Sequence, residues 1–197
     1  MLIENRPAAG EHAARRLEEA GFAVHRCHDA DSSGFPCRGV GDSEQCPVTQ
    51  RVDVAVIARH RIAPRPSALE SGVQCAIRAG IPLVEDGSDL LDPFAAWITV
   101  RSGEDVAAAC HEAIELAHEP LRRDLWMATS PAVDEAGQDP TALGWQIDVS
   151  PIRLHLVATG PQLGAGPRAR IAVRALDVAR HSPFARDRID VSYIPTS

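Results

Sequence analysis

Apolar and polar positions along residues 1–118 follow two alternating periods. Short apolar runs at residues 1–3, 22–25, 52–57, 81–84 and 96–100 predict strands. Residues 10–20, 67–79 and 104–118 instead place apolar side chains every three or four positions, the spacing of a helix with one buried face. The run Val52-Asp53-Val54-Ala55-Val56-Ile57 is nearly continuous, which marks a central parallel strand covered on both faces. Gly80 is placed to end the helix at 67–79, and Pro120 predicts a break or a restart after the helix at 104–118. A very short helix at 88–93 would join the last two strands. This order predicts an α/β fold: a flavodoxin-like, doubly wound parallel sheet of about five strands.

The remainder has a different rhythm. Residues 119–139 read as a connector with a helical turn at 121–127, punctuated by Ser130-Pro131 and Asp139-Pro140. Two alternating stretches follow, one carrying Trp145, Ile147 and Val149 and the next Ile152, Leu154 and Leu156. A helix at 168–180, with Pro167 tolerated at its start, and a last strand through Ile189, Val191 and Tyr193 complete a small α+β unit of ββαβ order over 140–197.

Composition narrows the function. All 20 basic residues are Arg, and without Lys neither a Schiff base nor a P-loop can be built. The net charge of −7 argues against a general nucleic-acid coat. From Pro151 onward seven Arg face three Asp, a balance of +4 that leaves −11 on the rest and allows an acidic protein partner for the C-terminal unit. No apolar run approaches the roughly 20 residues of a membrane span. The first residues lack a basic stretch followed by an apolar one, so a cytoplasmic chain without a secretory signal is expected.

Several segments carry a resemblance. Leu2-Ile3-Glu4-Asn5-Arg6 looks like the acidic end of a first strand, and Leu17-Glu18-Glu19-Ala20-Gly21-Phe22-Ala23-Val24 like a first helix entering a second strand. With the strand at 52–57, then Leu69-Glu70-Ser71-Gly72-Val73 and Ala79-Gly80-Ile81-Pro82-Leu83-Val84, residues 1–118 resemble the receiver domain of bacterial response regulators. That resemblance implies phosphoryl transfer to a carboxylate ending the third strand, an acidic pair holding Mg²⁺, and a lysine after the fifth strand. This chain offers Ala58 after Val56-Ile57, a single acid at Glu4 followed by the neutral Asn5, and Arg101-Ser102 in place of the lysine. Asp53 lies at the start of its strand, the wrong end for a site formed where parallel strands terminate. The resemblance therefore implies a pseudo-receiver that does not accept phosphate, a non-enzymatic regulatory or scaffolding protein acting through protein contacts. Homodimerisation fits the edge strands of the small sheet.

Five cysteines without a secretory signal point to reduced thiols rather than a disulfide framework. Cys110 falls on the apolar stripe of its helix and reads as core. Cys27, Cys37 and Cys46 punctuate residues 28–50, the one stretch where the receiver pattern fails, and a loop of that length needs something to hold it. In a doubly wound sheet the loop would pack beside the helix at 67–79, which carries Cys75. Four thiolates from Cys27, Cys37, Cys46 and Cys75 could then converge on zinc or an iron–sulfur cluster, with His25 and His28 as substitute ligands. No C-x₂-C pair is present, which leans the reading towards the cluster. Two alternatives stay open: a redox-active enzyme or electron carrier using the same cysteines, and a metal-free interaction subunit with an incidental loop.

Overall fold

The computed structural model describes residues 1–28, 34, 37–59, 64–87 and 92–196. The chain divides into two compact units, Met1–Ala117 and His118–Ser197. The first unit is built on β1 (Leu2–Glu4), α1 (Glu11–Glu19), the single-turn helix α2 (Arg38–Gly41), β2 (Ala55–Arg59), α3 (Gly72–Arg78), β3 (Leu83–Gly87), β4 (Ile98–Arg101) and the first part of α4 (Val106–Asp134). Its four strands are all parallel, in the order β1-β2-β3-β4.

Alternation along the strands sorts their side chains onto two faces. Leu2, Val56, Ala58 and Val84 pack with Ala13, Ala14 and Leu17 of α1 and with Val106, Ala109, Cys110 and Ala113 of α4. Ile3, Ala55, Ile57 and Leu83 pack on the other side with Val73 and Ala76 of α3, and with Cys27 and Phe94. Every residue of β2 is buried, as expected of a strand covered on both faces.

Three details differ from the sequence expectation. Residues 22–25 form no strand; Leu2 makes one parallel bridge to Arg26, and its N–H donates to the His25 carbonyl (2.8 Å). A three-residue β1 offers few backbone groups for a fifth strand to pair with, and Ala23 is exposed, so little burial rewards pairing. The central strand begins at Ala55 and runs on to Arg59, and its neighbour runs on to Gly87, so both carry charged residues at their carboxyl ends. Residues 93–97 form turns, so the last strand begins at Ile98 and not at residue 96, and 88–91 of the expected short helix at 88–93 lie outside the described residues.

The second unit holds the rest of α4, then β5 (Gly144–Val149), β6 (Arg153–Gly160), α5 (Ala165–Arg180) and β7 (Arg188–Pro195). β5 and β6 are antiparallel and β6 and β7 parallel, giving the ββαβ order. Trp145, Ile147, Leu154, Leu156 and Ala158 bury one face of this sheet against Ile171, Ala175 and Ala179 of α5 and Leu121, Leu125, Ala132 and Val133 of α4. Residues 119–134 are therefore helix and not connector. Pro120 and Pro131 both lie inside α4, because the apolar stripe from Leu121 to Val133 outweighs the lost hydrogen bonds. The helix ends at Asp134, with Gly137 at φ +70° and its N–H on the Asp134 carbonyl (2.8 Å). No helix among the described residues is long and apolar enough to cross a membrane.

Continuous helix through Pro120 has a measurable consequence. Pro120→Ala restores a backbone donor and removes a ring clash, and is expected to raise stability by about 1–3 kcal/mol in thermal or urea unfolding. A break at that position would make the substitution neutral or destabilising.

Candidate functional site

Parallel sheets bind ligands where their strands end, so the carboxyl edge of the four-stranded sheet is the first place to look. Glu4 ends β1. Its Oε1 accepts from the Gly10 N–H (2.7 Å) and its Oε2 from Arg26 Nη1 (2.7 Å), while Arg26 Nη2 reaches Glu11 (2.9 Å). Both oxygens of the one acid expected to hold Mg²⁺ are thus engaged in fixing the turn before α1. Ala58, paired in register with Glu4 on one side and Asp86 on the other, is fully buried.

The next residue, Arg59, is 3% exposed. Its Nε lies 2.8 Å from Glu70 Oε1 and its Nη1 3.4 Å from Asp92 Oδ1, and its guanidinium carbon is 5.8 Å from the centre of the Phe94 ring. Glu70 is placed by a capping box: its Oε2 accepts from the Ser67 N–H (2.7 Å) at the 3-10 turn Ala68–Ser71 that leads into α3. Asp92 is held by the Phe94 N–H (2.8 Å). From β4, Arg101 pairs closely with Glu85 and lies 3.8 Å from Asp92. Ser102 donates its hydroxyl to Asp86 (2.7 Å). Gly87 at the end of β3 has φ +149°, and a Cβ there would lie 2.0 Å from the Arg59 carbonyl oxygen, so only glycine lets the strands approach this closely. Two guanidiniums and three nearly buried carboxylates therefore pair with one another around the ends of β2, β3 and β4, with a net charge of −1. The sequence reading missed this network. Its signal was Arg59 directly after an apolar run and Glu85-Asp86 directly after another.

The cysteines lie on the α3 face of the sheet. All five thiols are free. Cys27 is buried in the cluster that holds Ile3, Val73 and Ala76, and its thiol donates to Met1 Sδ (3.2 Å). It packs on the first turn of α3, where a Cβ on Gly72 would lie 2.7 Å from Cys27 Sγ. Cys75 follows Gly72 by three residues, next to it on the helix surface, and is exposed. Cys37 and Cys46 are half-buried. A Cβ on Gly39 would lie 2.8 Å from Cys46 Cβ, and Val48 packs against the same cluster as Cys27. Gly34 abuts the backbone of Ala68 and Leu69, just before α3, and residues 29–33 and 35–36 lie outside the described residues.

Burial pushes the Cys27 thiol up to about 12, and the neighbouring Cys46, Cys75 and Cys37 add to the rise. Cys27 packs on α3, Cys75 belongs to α3, and Cys46 packs on Gly39. Among the described residues, however, no three His, Cys, Asp or Glu side chains converge at the spacing of a bound ion. Of the two substitute ligands, His28 is buried with its Nε2 3.3 Å from Ser71 Oγ, and His25 is half-buried. Cys110 is fully buried in the other core cluster, and burial raises it to about 12 as well.

On the second unit several Arg side chains find partners within the unit: Arg170 lies 3.6 Å from Glu135, Arg174 donates to the Ala128 carbonyl, and Arg153 and Arg188 both pair with Asp190. His118 is buried edge-on against Phe184 (centroids 4.8 Å apart).

Two outcomes follow. Arg59→Ala leaves Glu70 and Asp92 buried without their shared cation and is expected to cost about 3–5 kcal/mol in urea unfolding; a loss below about 1 kcal/mol would contradict the network. The raised thiols set an alkaline limit. Above pH 9 the unfolded chain ionises Cys27 and Cys110 while the folded chain keeps both protonated up to about 12. The folded state then binds more protons, so stability falls as pH rises above 9. Melting temperature followed from pH 7.5 to 10.5 should decline, and less steeply in Cys110→Ala; equal slopes would contradict the assignment.

No protein-family model and no curated protein matches the chain.

Proposed function

We propose that the chain is a cytoplasmic, non-enzymatic regulatory or scaffolding module. In this reading residues 1–118 are a pseudo-receiver, flavodoxin-like in topology, that works through protein contacts and has lost phosphoryl transfer. The observation that carries the reading is the state of the carboxyl edge. A working phosphoacceptor needs an accessible carboxylate nucleophile, a carboxylate pair open to Mg²⁺ and a cation free to meet the phosphoryl group. Here the residue beside Glu4 in the sheet is Ala58, Glu4 is held by Gly10 and Arg26, and Asp86 is bonded to Ser102. The cations Arg59 and Arg101 are turned onto Glu70, Glu85 and Asp92. Among the described residues, these groups are engaged by their neighbours, which supports a surface that recognises a partner constitutively.

Incubation with acetyl phosphate and Mg²⁺, followed by intact-mass measurement at neutral pH, is expected to leave the mass unchanged. A hydroxylamine-sensitive gain of one phosphoryl group would overturn the reading.

A further inference from the structure

We propose that the open edge of β7 and the groove beside α5 bind an extended acidic segment of a protein partner, added to the small sheet as a further strand. β7 is the last strand of the three-stranded sheet, so one side of it pairs with β6 and the other faces away. The Arg188 N–H donates to the Ile152 carbonyl (3.1 Å) and the Thr196 N–H to the Gly160 carbonyl (2.7 Å). Even-numbered residues of β7 therefore turn their backbone groups towards β6, while Ile189, Val191 and Tyr193 turn theirs outward. Among the described residues, no group meets these outward N–H and C=O groups. Such a row is a template for an incoming strand. Pro195, which has no N–H, ends it.

The surroundings of that edge select the occupant. The side chains of Ile189, Val191 and Tyr193 turn to the α5 face, where they pack on the core and stay only half-buried. Between Val191, Tyr193 and α5 lies a groove of about 400 Å³. Ala165, Ala169 and Ala172, on successive turns of α5, form its helix wall. These short side chains leave room for every second side chain of an added strand. Arg168 lines the same groove and is exposed. Among the described residues no carboxylate pairs with it, in contrast to Arg153, Arg170 and Arg188. The groove has no acidic side chain in its lining, and residues 151–197 carry seven Arg against three Asp. An apolar extended segment with a carboxylate opposite Arg168 satisfies edge, groove and charge together. The proposal rests on the reading of a chain that works through protein contacts, and gives its second unit a partner of stated chemistry.

The test selects random displayed peptides, each about eight residues long as a strand is, on the full chain. One selected peptide is then followed by fluorescence polarisation and by hydrogen–deuterium exchange. The selected sequences are expected to alternate apolar residues and to carry Asp or Glu. The bound peptide should slow exchange at the Val191 and Tyr193 amides. Arg168→Glu should weaken binding by about 10-fold or more, and Ala169→Leu, which fills the groove, should weaken it as well. Both positions are exposed, so an unchanged melting temperature accompanies each loss. In the unsubstituted chain the exchange readout holds even if a variant misfolds. No enrichment, or binding that leaves the two amides exchanging as before, overturns the docking surface. Basic sequences, or equal binding to Arg168→Glu, overturn the acidic occupant. A chain that is dimeric by itself, with those amides already slow, gives the edge to a second copy and overturns it too. The acetyl phosphate result on the first unit is independent of all these outcomes, so failure here is distinct from failure of the pseudo-receiver reading.

Discussion

Arg59 lies at the carboxyl end of a strand whose every residue is buried, and the rest of the sheet's edge is arranged around that cation. A guanidinium at this depth cannot keep its hydration shell, so it must be met by carboxylates. Glu70 comes from the capping box before α3 and Asp92 from the turn that precedes β4. Asp92 in turn draws Arg101, and Arg101 holds Glu85. Gly87 lets β3 close against the Arg59 carbonyl. One buried charge thus ties together β2, β3, β4 and the entry to α3, and it consumes the polar groups that would otherwise face a ligand.

A parallel sheet with helices on both faces ordinarily keeps its carboxyl edge for chemistry. Here the described charged groups of that edge pair with one another. On the face covered by α3, Cys27 and Val48 join the buried cluster, and Cys75 lies on α3 itself. The same helix serves both regions. Glu70 at its entry anchors Arg59, and Gly72 in its first turn packs on Cys27.

Much of this was legible in the sequence where burial on two faces or strict alternation left a periodic trace. The strand through Val54, Val56 and Ala58, the helix around Leu17 and the ββαβ order after residue 140 all left such traces. Pairing at the short edge did not, because the strand-like composition of residues 22–25 cannot report that β1 has only three residues to offer. Pro120 misled because local propensity yields to an apolar stripe that continues from Leu121 to Val133. The ion-pair network was hidden for a different reason. Arg59, Glu70, Glu85 and Asp92 are spread over 34 positions, and charged residues are read as solvated unless the fold reveals their burial. Of the cysteines, Cys110 reads as core from its place on an apolar helix stripe, and it is fully buried there.

The central claim is that the carboxyl edge of the sheet is closed by its own charges. The most direct test is the amide spectrum of the ¹⁵N-labelled chain, titrated with Mg²⁺ and beryllofluoride, a tetrahedral phosphoryl mimic. The account predicts that the resonances of Glu4, Asn5, Ala58, Asp86 and Ser102 stay in place through millimolar additions. Saturable shifts centred on those residues would contradict it, since they would show an edge open to a metal ion and an anion.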